Sequence, residues 1–409
     1  MKALQFDLNI PKYVFSKAIG KINPALFIDS PFSCLQLKDL ERPKLPNNDW
    51  VEVKIKYGGI CGSDLNLIYL NDSPSTSPFV SFPFTMGHEL VGTISTVGTN
   101  VGDIAIGQRV VIDPVLSCEA RNITPSCEEC RKGNYNLCEH MNNGIISPGL
   151  LTGTCKDTGG SWGGYLVAHK SQIITLPDTI DDENGILIEP FSCALHAVLR
   201  NKPKETDTVI VIGAGVIGLC VIAAIRALKI NCKIITLVKH PFQAELANHF
   251  GSNEVVFLSR QHDYVYKAAK SCDATVLKPI IGSPIVNGGA DIIYECAGNP
   301  KSLQDSFRFA RKGGKVVLIG LASLIEKLDM TMIWLNELEI KGSFAYSSDS
   351  FQGEQRKTLE IAVELLKTNE LDLSPLLTHR FPLEDYREAL FTAGNKRRKQ
   401  AVKVVFEPS

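Results

Sequence analysis

The run Gly213-Ala214-Gly215-Val216-Ile217-Gly218 constrains this chain most, because of what stands on either side of it. A short, continuously apolar stretch, 208–212, precedes it, and a helix-forming stretch, 219–228, follows. Between strand and helix, a GxGxxG run is a phosphate-binding turn. Its first glycine permits the tight turn, its second lets backbone approach a pyrophosphate, and its third lets the helix pack close to the strand, with phosphates at the helix N-terminus. Further apolar strands are expected at 232–238, 290–295 and 315–319, the last after a turn at Gly313-Gly314. Strands alternating with helical stretches mean βαβ units and a doubly wound parallel sheet in an α/β protein.

The end of the second strand decides which dinucleotide fits. NAD sites normally place Asp or Glu there, bonded to the ribose 2′-hydroxyl. From Thr208 to Ala244 this chain has no acidic residue, and the strand ends Leu237-Val238-Lys239-His240. A carboxylate would repel a 2′-phosphate, whereas Lys239 can pair with it, assisted by His240 or Arg226. NADP is therefore expected ahead of NAD; if Lys239 and His240 only face solvent, both cofactors are accepted.

Upstream, to about residue 190, the chain is rich in Gly, Pro and β-formers, with strand-like stretches at 50–56 and 109–112. There Cys61, in Gly59-Ile60-Cys61-Gly62-Ser63-Asp64, is followed 27 residues later by His88-Glu89. One thiolate, one imidazole and one carboxylate make a zinc site with an open position, which suits catalysis rather than a closed structural clamp. On their own they also fit a buried Cys beside a surface His-Glu.

Cys118, Cys127, Cys130 and Cys138 follow with spacing C-x8-C-x2-C-x7-C, in a loop too polar to bury its own core. Four thiolates in tetrahedral array would close a structural zinc site and fold the loop around it. The alternative, a redox pair at Cys127 and Cys130, leaves the other two thiols unused. The two ligand sets imply two zinc ions per chain.

Composition excludes other classes. With 409 residues and 44% hydrophobic composition the chain can bury a large core in two or three domains, and a net charge of −1 gives no reason to expect nucleic acid. The basic run 396–399 reads as a solvated turn. The sequence shows no leader-like segment and no uninterrupted apolar span, so neither membrane association nor secretion is expected, and the twelve cysteines read as ligands and buried thiols of a cytoplasmic protein.

Taken together, the Cys61 and His88 strings, the four-cysteine lobe, Glu189-Pro190 and the Gly213–Gly218 loop make the chain resemble the zinc-dependent medium-chain dehydrogenases/reductases, the superfamily of alcohol, sorbitol and threonine dehydrogenases. The resemblance covers nearly the whole chain. It implies a GroES-like, strand-rich catalytic domain (residues 1–192, with the zinc lobe at 118–138, and 341–409) into which a Rossmann domain (193–340) is inserted. It also implies that Cys61 and His88 bind the catalytic zinc. Glu89 matches a carboxylate that ligates in some members and exchanges in others. Glu189 stands where alcohol dehydrogenases have a second cysteine, as in the polyol and threonine branch. Ser63 matches the relay hydroxyl that takes the substrate's proton, and Asp64 a carboxylate that orients His88; both also suit a helix N-cap. The expected activity is reversible hydride transfer between an alcohol, polyol or matching carbonyl and the nicotinamide, in a homodimer or homotetramer. The competing reading is a non-catalytic zinc- and nucleotide-binding sensor on the same fold. Two features depart from the family: about twenty extra residues before Cys61, and a longer stretch at 272–289.

Overall fold

The computed structural model describes residues 1–20, 22–259, 261–368 and 370–408. The chain divides into two compact units. One comprises Met1–Glu189, Leu359–Lys367 and Asp372–Ser409; the other comprises Pro190–Thr358 and Thr368–Leu371.

The first unit is built on the strand Trp50–Gly59, whose residues are buried at all but two positions. Register shifts after Glu52 and after Ile55 bend it, so that it can serve several partners. It runs antiparallel to Leu90–Val97 along its length, to Tyr165–His169 at its first half, and to the C-terminal strand Lys403–Glu407 at Gly58 and Gly59. Val51, Val53, Ile55, Leu90, Ile94 and Leu166 pack as one cluster on this sheet. Each such side chain stabilises the fold by about 1.5–3 kcal/mol relative to exposure. The extra N-terminal residues fold as the helix Ile10–Gly20 and the short helix Leu26–Asp29. They are tied to the end of the Gly62–Ile68 helix by the Lys17 ammonium, which donates to the Leu70 carbonyl at 2.9 Å, and by an edge-on contact of Phe27 with Tyr69.

The second unit holds a six-stranded parallel sheet in the order Glu254–Phe257, Lys233–Val238, Thr208–Ile212, Ala290–Glu295, Ala310–Leu318, Glu339–Gly342. Chain order reverses between Thr208–Ile212 and Ala290–Glu295, which is the switch point at which such sheets bind ligands. The helix after the glycine loop spans Val216–Ala227, starting three residues earlier than the apolar pattern suggests, because Gly215 itself is the N-cap. The last expected strand also begins earlier, at Ala310, and runs through Gly313-Gly314 rather than starting after them. The long stretch at 272–289 is a hairpin of Thr275–Leu277 with Ile285–Asn287, and Ile280 and Ile281 are exposed at its tip. Asp349 ties the unit's later chain to the helix Ile188–Arg200: it accepts from Arg200 Nε at 2.6 Å and from Thr358 Oγ1 at 2.7 Å, and lies 2.7 Å from His196 Nδ1. Among the described residues no helix is long and apolar enough to cross a membrane.

Candidate active site

Strand pairing closes the 27-residue gap between Cys61 and His88. Gly58 lies opposite Leu90, and the Gly59 N–H donates to the Glu89 carbonyl at 3.0 Å. One strand therefore delivers Cys61 where the other begins at His88. Gly87, at φ +92°, turns the chain into His88, and a side chain there would strike Ser161 and Trp162. Trp162 is fully buried, and its indole N–H donates to the Gly59 carbonyl at 2.8 Å, so one residue braces both approaches.

The ligand atoms of Cys61, His88 and Glu89 lie within 4.8 Å of one another. His88 and Glu89 are buried, and Cys61 is half-buried. Asp64 Oδ2 accepts the Cys61 N–H at 2.8 Å, capping the Gly62–Ile68 helix, while Oδ1 stands 3.7 Å from His88 Nδ1. That second distance is beyond a hydrogen bond but short enough to act through charge. Burial pushes the Asp64 carboxyl up to about 6, against the pull of His88. Burial would lower His88, but Asp64, Cys61 and Glu189 outweigh it and raise the imidazole well above its ordinary value. Ser63 is half-buried in the first turn of the same helix, and its hydroxyl makes no hydrogen bond among the described residues. Glu189 is buried in the first turn of Ile188–Arg200. It lies outside the 4.8 Å group, yet its charge acts on both His88 and Lys403.

Lys403 is the participant that the sequence reading missed. Its ammonium lies 2.6 Å and 2.5 Å from the two Glu89 oxygens and 3.3 Å from the Ile60 carbonyl, with Lys403 2% and Glu89 1% exposed. Both oxygens of Glu89 are thus committed to a buried cation. The available signal was a single charge inside an otherwise apolar strand, Ala401-Val402-Lys403-Val404-Val405-Phe406; a buried Lys must be paired.

Cys118, Cys127, Cys130 and Cys138 also gather within 4.8 Å, including Cys118, which lies far upstream of the others. Cys118 Sγ accepts from the Cys127 N–H at 3.4 Å, Cys127 Sγ from Cys130 N–H at 3.5 Å, and Cys138 Sγ from His140 N–H at 3.4 Å. Burial holds the Cys118 thiol up at about 11, whereas hydrogen bonding from Cys130 pulls Cys138 down to about 5. Four such thiols cannot all ionise without a cation among them. A closed, all-sulfur donor set with its own N–H···S bonds fits zinc.

In the other unit, Gly213 has φ +99°, and a side chain on Gly218 would come within 1.9 Å of the Gly213 carbonyl. Ala214 is buried beneath the loop, and Val216 and Ile217 form the first helical turn after Gly215. Val238 ends its strand buried; Lys239 is exposed just beyond, and His240 caps the helix Pro241–His249 with its ring stacked on Phe242. Arg226 does not assist Lys239. Its guanidinium donates to the Gly251 and Ile230 carbonyls at 3.0 and 2.7 Å and to Asn253 at 2.8 Å, in the last turn of Val216–Ala227, a helix length away from the loop.

Comparison with known proteins agrees with this geometry. The family descriptions "Alcohol dehydrogenase GroES-like domain" and "Zinc-binding dehydrogenase" match residues 47–178 and 216–363. The chain is 30% identical over 357 residues to sorbitol dehydrogenase of Bacillus subtilis strain 168, covering 87% of this chain and 89% of the relative. It is 31% identical over 395 residues to L-idonate 5-dehydrogenase of Vitis vinifera, covering 96% and 97%. A Sinorhizobium meliloti 1021 protein of the zinc-binding dehydrogenase type, solved bound to NADP, superimposes with a TM-score of 0.69 at 27% identity, covering 91% of this chain and 96% of that one. A GroES-like unit carrying Cys and His donors, joined to a Rossmann unit, defines a zinc-dependent medium-chain dehydrogenase, and the chain belongs to that family. Within it, the chain falls in the sorbitol and threonine dehydrogenase branch: a zinc-dependent oxidoreductase that moves hydride between an alcohol or polyol and a nicotinamide cofactor. The sensor reading is not favoured.

The Glu89–Lys403 pair yields a stability prediction. Lys403→Met leaves a buried carboxylate alone and should lower the unfolding free energy by about 3–5 kcal/mol, while adding Glu89→Gln should recover part of that loss. Urea titration of the single and double variants checks this; equal losses in both would show that the pairing is not what matters.

Proposed function

We propose that the enzyme is an NADP-preferring polyol dehydrogenase whose catalytic zinc is held by Cys61, His88 and Glu189, with the first unit carrying the chemistry and the second the dinucleotide. The observation that supports this ligand set is the Glu89–Lys403 pair: a carboxylate with both oxygens on an ammonium is a poor metal donor, whereas the buried Glu189 acts by its charge on His88. When bound, zinc supplies Lewis acidity to the substrate oxygen, favouring loss of its proton near neutral pH. Ser63 Oγ, which makes no hydrogen bond among the described residues, accepts that proton while its own hydroxyl proton passes on to solvent. Asp64 holds the His88 ring through the charge it places by Nδ1. Cys118, Cys127, Cys130 and Cys138 hold a second, structural zinc. The relatives named for sorbitol and L-idonate support a sugar alcohol or the matching ketose as substrate. That no disulfide joins the twelve cysteines supports a reducing compartment, the cytoplasm.

The test is a panel of polyols, sugars and hydroxy amino acids with both cofactors, alongside zinc analysis. At least one polyol should turn over with NADP, and Cys61→Ser and His88→Ala should each abolish turnover and lose one of two zinc ions. Wild-type rates in either variant would overturn the zinc assignment, and zinc-replete protein without any turnover would favour the sensor.

Cofactor choice rests on Lys239, exposed at the strand end where no carboxylate stands. Lys239→Asp should lower the ratio of kcat/KM for NADP over NAD by at least about tenfold, the size of a lost charge-assisted contact. An unchanged ratio would mean that Lys239 only faces solvent.

The homo-oligomer is proposed to form through Glu339–Gly342, the exposed edge of the parallel sheet, beside exposed Met330, Trp334 and Leu335. Trp334→Glu should shift the sedimentation equilibrium toward monomer; an unchanged mass would place the interface elsewhere.

A further inference from the structure

The zinc lobe contains a buried cation to which neither the sequence reading nor the family gives a role. Arg121 is fully buried, and it stands three residues after Cys118 in the same turn, with its own N–H bonded to the Ser117 carbonyl at 3.1 Å. Among the described residues its guanidinium bonds only to backbone. Nε donates to the Leu116 carbonyl at 2.9 Å, one terminal nitrogen to the Asn143, Ile146 and Ser147 carbonyls at 2.8, 3.2 and 3.3 Å, and the other to Gly149 at 2.7 Å. The segment 143–149 is therefore wrapped around one side chain. Gly144, at φ +92°, lets it pass: a side chain there would come within 2.4 Å of the Arg121 carbonyl.

All three guanidinium nitrogens donate hydrogen bonds, but the charge is not cancelled. Among the described residues no carboxylate lies within ion-pair distance of Arg121. The ionisable groups that act on it most strongly are the thiols of Cys155, Cys138 and Cys118, ahead of Asp157. Carbonyl dipoles soften the cost of burying a cation but do not neutralise it, and a buried charge needs a counter-charge. Zinc with four thiolates carries a net negative charge, and two of those thiolates are among the groups that act on Arg121.

We propose that Arg121 is the counter-cation of the structural zinc–tetrathiolate site, a positioning residue that couples metal occupancy to the folding of the 143–149 segment. This rests on the reading of Cys118, Cys127, Cys130 and Cys138 as a zinc site. Zinc binding with release of the thiol protons leaves a net negative site that balances Arg121, and Arg121 in turn pins the 143–149 segment. Loss of either weakens the other, as coupled sites require.

The experiment uses the full-length zinc-loaded enzyme. Zinc release to a chromogenic chelator is followed for wild type, Arg121→Gln and Arg121→Lys. Gln removes the charge; Lys keeps it but cannot form the five-donor fork. Release of one of the two zinc ions should be about 10–100-fold faster in Arg121→Gln, the range for removing an outer partner of a metal site, and within about threefold of wild type in Arg121→Lys. Equal acceleration in both would show that hydrogen bonding, not charge, does the work, and would overturn the proposal. Hydrogen exchange of the wild type guards against a Gln variant that fails to fold. Removing both zinc ions should expose the amides of 143–149 while Trp50–Gly59 stays protected. Unchanged protection of 143–149 would overturn the coupling. A wild type that binds only one zinc would instead sink the four-cysteine reading, and the proposal with it.

Discussion

The catalytic unit depends on the C-terminal strand returning to the start of the chain, and the ion pair of Lys403 with Glu89 is where that return is locked. The two residues are 314 positions apart, and both are buried. Strand Lys403–Glu407 pairs with Gly58 and Gly59, the last residues before Ile60 and Cys61, and the same Lys403 reaches the residue after His88. The metal donors, the helix cap at Asp64 and the strand junction are therefore fixed by one closure. Its charge matters as much as its geometry. Cys61, Asp64, Glu89 and Glu189 crowd negative or potentially negative groups around a buried imidazole. Lys403 offsets the charge of one of those carboxylates, Glu89.

The zinc lobe repeats the same physics with the opposite sign. There the thiols are the surplus and Arg121 the unmatched cation, so metal, thiolates and guanidinium form one electrostatic unit in a segment with little core of its own. Local chemistry in both places is set by pairing a buried charge that would otherwise be too costly to keep. The dinucleotide loop relies on close approach instead of charge. Gly218 must lack a side chain because the Gly213 carbonyl occupies its space, and that contact sets the helix on the strand.

Much of this was legible in short strings. The glycine loop, the strand before it and the helix after it are adjacent in sequence, so their physics is local. The same is true of Cys127 and Cys130, and of the Cys61–Asp64 turn, where a capping carboxylate lies three residues from the amide it caps. What was misjudged was less local. Arg226 looked available for a phosphate because its place on the helix was known but its reach was not; the structure commits it to carbonyls at the far end. The hairpin within 272–289 is not legible in the sequence, since two three-residue strands carry too little pattern to distinguish a hairpin from a loop.

By itself the sequence determined the class of this protein: a phosphate-binding turn of defined glycines, a Cys and His pair with an open ligand position, and a four-thiol lobe. These are properties of residue type and short spacing, and no folding can add or remove them. Tertiary structure decided which carboxylate meets a buried cation. Glu89 and Glu189 are equivalent as letters, and only the antiparallel return of the C-terminal strand places Lys403 against one of them. Long-range pairing of buried charge leaves no mark at either end of the chain beyond a lone lysine in an apolar strand, so the Glu89–Lys403 ion pair appears only once the strands have met.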